Sequence, residues 1–342
     1  SASSTTIKAE YVAAGHTLYR IPVVVHILQT SGGSGSMSDA RVQSQIDVLN
    51  EDFQALAGTL GENGSDGRIE FFLATEDPSG NPTTGITRTT NTTFYNDGGS
   101  YWTTLAWDTT RYLNIYTNQA SGALGYVPDL PQGGIVGSDS DRVVVLHSAF
   151  GRNAPIGAPY DLGRSATHEV GHYLGLYHTF DFGCGTSACY TTGDRICDTA
   201  REANPVFGCP GTHASCTSND PFHNYMDYSD DDCMSEFTPE QVNRMRCTLA
   251  NWRVDLPEPV LCGVAAAAVT RNGGLNLNVY TGTPPVMGAT TTLSIADATH
   301  TSALIMGRAA PGNVLLPSGF ALLTNSSSTR FFTLSLPLPL GN

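Results

Sequence analysis

The sequence predicts a mixed layer of strands and helices, of the α/β or α+β type, followed by a separate β-rich module. Segments rich in β-branched residues alternate with long connections rich in Gly, Thr and Asn, and helical patterns are few. The composition changes after Cys262, because residues 263–342 contain three Arg, one Asp and neither Lys nor Glu. We therefore expect one domain over residues 1–262 and a small all-β module, a sandwich or barrel, over residues 263–342.

The first predicted element is a buried strand over Tyr19–Leu28, which ends at the Gly- and Ser-rich residues 31–36. A helix should follow, because Ser38 can cap its N terminus. Its apolar residues recur at steps of three and four: Val42, Ile46, Leu49, Phe53 and Leu56. Further strands are predicted over Ile69–Thr75, Tyr112–Thr117 and Arg142–His147. Helical spacing returns at Arg164 and again over Glu240–Ala250.

Charge and composition exclude two classes of partner. The chain of 342 residues has 17 Lys and Arg against 31 Asp and Glu, a net charge of −14, so we expect no nucleic-acid binding. No apolar stretch approaches the ~20 residues of a membrane span. The N terminus, Ser1–Thr6, has neither an initiator Met nor an apolar leader, so we expect a mature or trimmed chain.

The eight cysteines all lie between Cys184 and Cys262. An even number within so short a segment favours local disulfides and an oxidising compartment, and hence a secreted, extracellular protein. The alternative is the zinc–cysteine site of a cytosolic protein, but the C-x₂-C pairs that such sites use are absent from the sequence.

The chemistry is concentrated in the run HEVGHYLGLYH, which begins at His168. His168 and His172 are one helical turn apart, so both imidazoles lie on the same face. Gly175 can end the helix in left-handed backbone, and the chain can then turn to deliver His178. Three neutral histidines with one open position describe a catalytic zinc rather than a structural one. Glu169 lies beside that face, where a carboxylate can hold a water. The alternative is a helix with ordinary surface or core histidines.

These residues match the metzincin signature H-E-x-x-H-x-x-G-x-x-H, and Asn224–Tyr228 resembles the Met-turn beneath the metzincin zinc. Over roughly residues 21–249 the chain resembles the pappalysin family, especially its ulilysin-like secreted proteases. The smaller motifs that carry this resemblance are His178–Phe180, Gly193 with Asp194, Asp198 with Thr199, Gly208–Pro210, and the segments from Tyr228 to Met245.

The resemblance implies an α+β catalytic domain with two lobes. A twisted five-stranded sheet with backing and active-site helices would lie above a cleft, and an irregular C-terminal lobe below it. Arg142–His147 would be the edge strand that pairs with an extended substrate, although a plain core strand is the alternative. Gly163–Tyr177 would form the active-site helix.

The implied function is that of a zinc-dependent endopeptidase acting on proteins or peptides. Its zinc ligands would be His168, His172 and His178. Glu169 would take a proton from a zinc-bound water and return it to the leaving amine. Met226 would support the site, and Tyr228 would stabilise the oxyanion or cap the zinc, or else only pack. The alternative function is an inactive scaffold whose C-terminal module binds a surface or polymer, but the intact Glu169 argues against it.

Ulilysin-like proteases bind calcium in their irregular lobe, and residues 194–240 of this chain include ten acidic residues. The resemblance places candidate calcium ligands at Asp194, Asp198 and Thr199. Their spacing is not that of an EF-hand loop, and a solvated acidic surface is the alternative.

The family pattern also implies disulfides and a specificity. It pairs Cys184–Cys216 and Cys209–Cys233, and proximity of the others suggests Cys189–Cys197 and Cys247–Cys262, although spacing alone leaves the connectivity open. In ulilysin-like relatives an Asp at the position of Asp231 lines the pocket for the residue after the scissile bond. This implies cleavage on the N-terminal side of Arg, and less readily of Lys. The alternative is that all three residues Asp230–Asp232 are solvated or bind cations.

Overall fold

The computed structural model describes residues 18–258 and, beyond them, the backbone of six short strands. The first unit of the chain, Ser1–Val260, contains one mixed sheet. Its strands are β1 (Tyr19–Gln29), β2 (Ile69–Leu73), β3 (Ile86–Thr90), β4 (Leu113–Asn118), β5 (Gly125–Tyr126) and β6 (Val143–Leu146).

The sheet is built around β1, in which every residue from Ile21 to Leu28 is buried. Parallel β2 pairs with the first half of β1 and parallel β3 with its second half. Both lie on the side opposite β4, which is also parallel to β1. Beyond β4 come parallel β6 and then antiparallel β5. Six strands therefore occupy five positions, where the family resemblance implied five strands.

The prediction that Arg142–His147 forms the edge strand is wrong. The strand in that segment, β6, lies between β4 and β5, and the edge is Gly125–Tyr126. A strand of two residues has no periodicity to recognise, and the run Val143–Val145 is apolar because both of its faces are covered.

The helices are α1 (Asp39–Phe53), α2 (Thr92–Tyr95), α3 (Trp102–Leu105), α4 (Arg164–Tyr173) and α5 (Pro239–Asn251). As predicted, Ser38 caps α1, its hydroxyl accepting the Arg41 N–H at 3.2 Å. The active-site helix α4 ends four residues before the predicted Tyr177. It ends early because the chain turns at Gly175, whose φ of +99° is in the left-handed region that favours glycine.

The two faces of the sheet are covered differently. Alternate residues of β1 point to opposite faces, and Ile21, Val23, Val25 and Ile27 share a core with α1, α4 and α5. The other face is covered by aromatic side chains of the connections around α2 and α3. Because α4 packs against β5, β6 and α1, its polar side faces the cleft below the sheet edge.

Residues 179–237, all of which the structure describes, form neither a helix nor an extended strand and make up an irregular lobe. Its disulfides join Cys184–Cys216, Cys189–Cys197 and Cys209–Cys233. The pairing Cys247–Cys262 is not tested, since Cys262 lies outside the described residues.

The second unit spans Leu261–Asn342. The strands described in it are β7 (Tyr280–Gly282), β8 (Leu293–Ile295), β9 (Ser302–Arg308), β10 (Pro311–Leu315), β11 (Ala321–Thr324) and β12 (Arg330–Pro337). They form the antiparallel pairs β7 with β8, β9 with β12, and β10 with β11. The all-β accessory module over 263–342 stays a prediction. Across the described parts of both units, no helix has the length and apolarity needed to cross a membrane.

Candidate active site

Three histidines of the HExxH run converge at the end of α4 and just beyond it. The Nε2 atom of His172 lies 3.0 Å from Nε2 of His168 and 3.0 Å from Nε2 of His178. The left-handed turn at Gly175 brings the third imidazole back to the first two. The sequence-predicted ligand set is thus assembled around one point.

The hydrogen bonds made by Nδ1 of His168 and His172 determine whether the Nε2 atom of each ring has a free lone pair. Nδ1 of His168 donates to the Tyr225 carbonyl at 2.7 Å, and Nδ1 of His172 donates to the Leu176 carbonyl at 2.8 Å. A carbonyl only accepts, so the proton of each neutral ring is on Nδ1 and the Nε2 lone pair faces the point of convergence. Burial favours the neutral rings: it lowers the pKa of His168 well below its usual value and that of His172 to about 3.

Asp181 orients the third ring and was not predicted from the sequence. Its carboxylate accepts the backbone N–H of His178 at 3.0 Å and lies 3.3 Å from Nδ1 of the same residue. Such a carboxylate fixes the tautomer of a metal-ligating histidine. The signal that could have found it is an acidic residue three positions after the last histidine of the signature.

This donor set fits a zinc ion. Three imidazoles bring their Nε2 atoms to one point, with His172 3.0 Å from each of the other two, and lone pairs that face each other at this distance repel unless a cation lies between them. Each ring has an outer partner of the kind that zinc-bound histidines use, and no fourth His, Cys, Asp or Glu joins the group within the part of the chain that the structure describes.

Glu169 is buried beside this point. Burial raises the pKa of its carboxyl to about 8, and Oε2 has no hydrogen-bond partner among residues 18–258. A nearby cation stabilises the charged form of such a carboxyl, and an orphaned oxygen can accept a proton from water. The site therefore has a base next to its candidate metal position.

The edge strand β5 passes directly against this base. A Cβ atom built on Gly125 would lie 2.6 Å from Cγ of Glu169 and 3.0 Å from its Oε1. It would also lie 3.0 Å from the Val144 carbonyl, which is backbone and cannot move aside. Only glycine allows the strand to come this close, so Gly125 confines Glu169 to its position.

The segment Asn224–Tyr228, which was predicted to be a Met-turn, packs against the helix α4 that carries His168 and His172. Met226 is fully buried, and its Sδ would be 2.5 Å from a Cβ atom on Gly171, so this glycine of α4 lets the turn approach. Two residues on, the Tyr228 hydroxyl lies 3.1 Å from Nε2 of His178. Its ring packs against those of His178 and Phe180. Tyr228 is thus placed at the open side of the histidine group.

A cleft of about 620 Å³ extends from the histidines. One end is lined by Tyr160, Arg164, Asp231 and Met234. Asp231 is 2% exposed, and its Oδ2 accepts the N–H of Leu162 at 2.8 Å and that of Arg164 at 3.3 Å. Burial raises the pKa of this carboxyl to about 6. A buried carboxylate therefore lies in the wall of the cleft.

The calcium candidates are only partly brought together. A small cavity of about 100 Å³ in the irregular lobe is lined by Asp194, Thr199 and Glu202, among others. Thr199 donates its hydroxyl to Asp194 at 2.7 Å. Asp198 is engaged elsewhere, accepting the Glu240 N–H at the start of α5 at 2.9 Å. Glu202, which was not predicted from the sequence, is completely buried, and neither carboxylate oxygen has a hydrogen-bond partner among the described residues.

Comparison with known proteins identifies the family. A profile described as Pregnancy-associated plasma protein-A, of peptidase family M43, matches residues 100–250. An extracellular metalloprotease of Pyricularia oryzae is 35% identical over 251 residues, which are 71% of this chain and 79% of that relative. The chain belongs to the pappalysin family. An extracellular metalloprotease of Colletotrichum graminicola is likewise 35% identical over 244 residues, 68% of this chain and 77% of that one.

Solved structures agree with this assignment to the pappalysins. Mirolysin in complex with compound 9 matches with a TM-score of 0.61 and 36% identity, over 71% of this chain and 97% of that chain. Mature mirolysin of Tannerella forsythia in complex with a cleaved peptide matches with a TM-score of 0.58 and 36% identity, over 71% and 100%. This pappalysin is thus a metalloprotease with a mixed α and β fold, and like its named relatives it is extracellular. The family implies zinc, which suits the histidine group.

Proposed function

We propose that this pappalysin is a secreted endopeptidase that hydrolyses peptide bonds with Glu169 as general base, on the N-terminal side of Arg and less readily of Lys. The observation that carries the proposal is the convergence of three Nε2 atoms beside a buried carboxylate with an orphaned oxygen, in a cleft open to solvent.

His168, His172 and His178 would hold the zinc through Nε2. When bound there, zinc supplies a Lewis acid that polarises a carbonyl and makes water more acidic. Glu169 would accept the proton of the attacking water and pass it to the leaving amine, since its carboxyl is confined between α4 and Gly125. The Tyr228 hydroxyl, at the open side of the group, is suited to donate to the developing oxyanion.

The substrate would bind as an extended peptide along β5. This strand pairs with β6 on one side only, so its outer backbone groups are available for another strand. Addition of a strand to an exposed sheet edge is a common mode of peptide recognition. The complex of mirolysin with a cleaved peptide supports peptide binding in this family.

Asp231 would read the side chain that follows the scissile bond. It is the buried member of the run Asp230–Asp232 and lines the cleft, whereas Asp232 is exposed. A guanidinium can pair with a carboxylate through two parallel hydrogen bonds, which an ammonium cannot do. This difference supports a preference for Arg over Lys.

Calcium would occupy the cavity lined by Asp194, Thr199 and Glu202. Burial raises the pKa of Asp194 to about 7, and neither carboxylate oxygen of Glu202 has a hydrogen-bond partner among the described residues, so two carboxyl groups line one small cavity. Carboxylate and hydroxyl oxygens are the ligands that Ca²⁺ prefers. The orphaned Glu202 is the observation that supports a cation here.

The peptidase proposal predicts about one zinc per chain and hydrolysis that stops with a zinc chelator. Purified protein should cleave casein, lose activity in 1,10-phenanthroline and regain it when zinc is restored, because Glu169 alone cannot polarise a carbonyl. Elemental analysis and a casein assay measure both quantities. A protein that holds zinc but cleaves neither casein nor a mixed peptide library would favour the inactive scaffold instead.

The calcium proposal predicts a loss of stability when calcium alone is removed. A ligand present at 100 times its Kd stabilises the folded state by about 2.7 kcal/mol, which corresponds to a fall in Tm of roughly 5–10 °C for a domain of this size. Differential scanning fluorimetry with and without EGTA, with zinc content checked, measures the shift. Asp194→Asn should abolish it, and Asp198→Asn, outside the cavity, should retain it. An unchanged Tm with zinc retained would contradict the proposal.

A further inference from the structure

The edge strand β5 has little backbone pairing to hold it. It is two residues long, with Gly125 opposite Val145 and Tyr126 opposite Val144. One further bond, from the Leu146 N–H to the Leu124 carbonyl at 2.8 Å, extends the pairing. So short a strand at a sheet edge would fray unless its side chains fix it.

The Tyr126 side chain is anchored to a carboxylate on another segment. Its hydroxyl lies 2.9 Å from Oδ1 and 3.0 Å from Oδ2 of Asp97. The same carboxylate accepts the Tyr101 hydroxyl at 2.8 Å and the Asn118 amide N–H at 2.8 Å. The Ser121 hydroxyl donates to its second oxygen. Donors from four segments thus converge on one residue: β5, the start of α3, the end of β4 and the turn that follows it.

The surroundings hold the Asp97 side chain in place. All of its side-chain partners donate, which suits a carboxylate because its two oxygens can accept several hydrogen bonds. Asp97 has a φ of +63°, in the left-handed region, which Asp adopts more readily than most residues other than glycine. Arg142 lies 3.7 Å over the Trp102 ring and 5.9 Å from the centre of the Tyr126 ring, which packs the group from a second side.

We propose that Asp97 is a positioning residue for the peptidase reaction, which acts by holding Tyr126 and thereby the substrate-binding edge β5. The inference rests on the proposed function, since it concerns extended peptides that pair with this edge. Asp97 itself does not line the cleft, whereas Tyr126 and Gly125 do. Substrates long enough to pair with β5 depend on Asp97, and substrates too short to reach it do not.

A binding experiment tests this without turnover. The full chain carrying Glu169→Ala binds substrate without cleaving it, so fluorescence anisotropy of a labelled eight-residue peptide with a central Arg gives Kd. The same Kd is then measured for the double variant that also carries Tyr126→Phe. Loss of this one hydrogen bond should raise Kd about fivefold to tenfold. The matched control is Ser121→Ala, which removes another hydroxyl from the same carboxylate but lies in the turn after β4 and not on β5. It should leave Kd within about twofold.

Kinetics of the parent protein and the Tyr126→Phe variant provide a second readout. KM for the eight-residue peptide should rise by the same factor, while kcat and the KM of a tripeptide substrate change by less than about twofold. Equal losses on both substrates, or a Kd raised as much by Ser121→Ala as by Tyr126→Phe, would overturn the proposal. A parent protein that binds the peptide but cleaves nothing would instead refute the proposed function and leave the binding comparison decisive for Asp97.

Discussion

Replacement of Glu169 by Gln should lower kcat by roughly 10²–10⁴-fold, the usual contribution of a positioned general base. The amide keeps the shape of the side chain, so it still fits against Gly125, but it cannot accept a proton from water. The buried carboxyl has no hydrogen-bond partner for Oε2, and its pKa is raised by burial, so the neutral amide should not destabilise the fold. The expected loss is therefore one of chemistry, with Tm unchanged or higher.

Initial rates on a fluorogenic peptide, zinc content and Tm are the three measurements for this variant. The matched control is Glu62→Gln, which makes the same change of charge at an exposed site. It should retain the parental kcat. A Glu169→Gln protein with normal zinc content and parental kcat would show that Glu169 is not the general base. A variant that has lost its zinc would show that Glu169 is a zinc ligand instead.

The histidine group could be predicted because its geometry is local. His168 and His172 are on one face of any helix, and Gly175 is the residue type that ends a helix in left-handed backbone, so spacing alone brings His178 back to them. The capping of α1 by Ser38 is local in the same sense. In both cases the residues that determine the structure are close to each other in the sequence.

The residues that frame the site could not be predicted in this way. Gly125 matters because it meets Glu169, 44 positions later in the chain. Tyr126 matters because its hydroxyl bonds to Asp97. The local sequence around each of these residues is that of an ordinary loop. The wrong prediction of the edge strand has the same cause. The apolar run of β6 indicates that the strand is buried, but it does not indicate where the strand lies in the sheet.

The acidic residues of the lower lobe illustrate a further limit. Sequence position groups Asp194 with Asp198, yet one carboxyl lines the small cavity and the other accepts an N–H at the start of α5. The buried partner in that cavity is Glu202, which a charge count cannot distinguish from a solvated residue. In a lobe without regular elements, side-chain direction follows from disulfides and turns rather than from any period in the sequence.

Replacement of Asp231 by Asn should reduce the preference for Arg after the scissile bond by roughly tenfold to a hundredfold. The reason is that a hydrogen bond to a charged, desolvated group contributes about 1.5–3 kcal/mol, and each 1.4 kcal/mol is a factor of ten. The amide keeps an oxygen that can accept the N–H groups of Leu162 and Arg164, so the loop should remain folded. The quantity to measure is the ratio of kcat/KM for two peptides that differ only in Arg or Leu at that position.

The same ratio should depend on pH in the parent enzyme. Because burial raises the pKa of Asp231 to about 6, its carboxyl is charged above that pH and largely neutral at pH 5, where about a tenth remains ionised. The preference for Arg should therefore weaken as the pH falls from 7 to 5. Acid also affects the histidines of the enzyme, but this effect is the same for both peptides and therefore cancels in the ratio. Asp231→Asn should remove the pH dependence of the ratio, and the matched control Asp232→Asn, at an exposed position, should keep it. A parental ratio that is flat from pH 5 to 7, or an Asp231→Asn enzyme that still prefers Arg, would show that this carboxylate does not read the substrate.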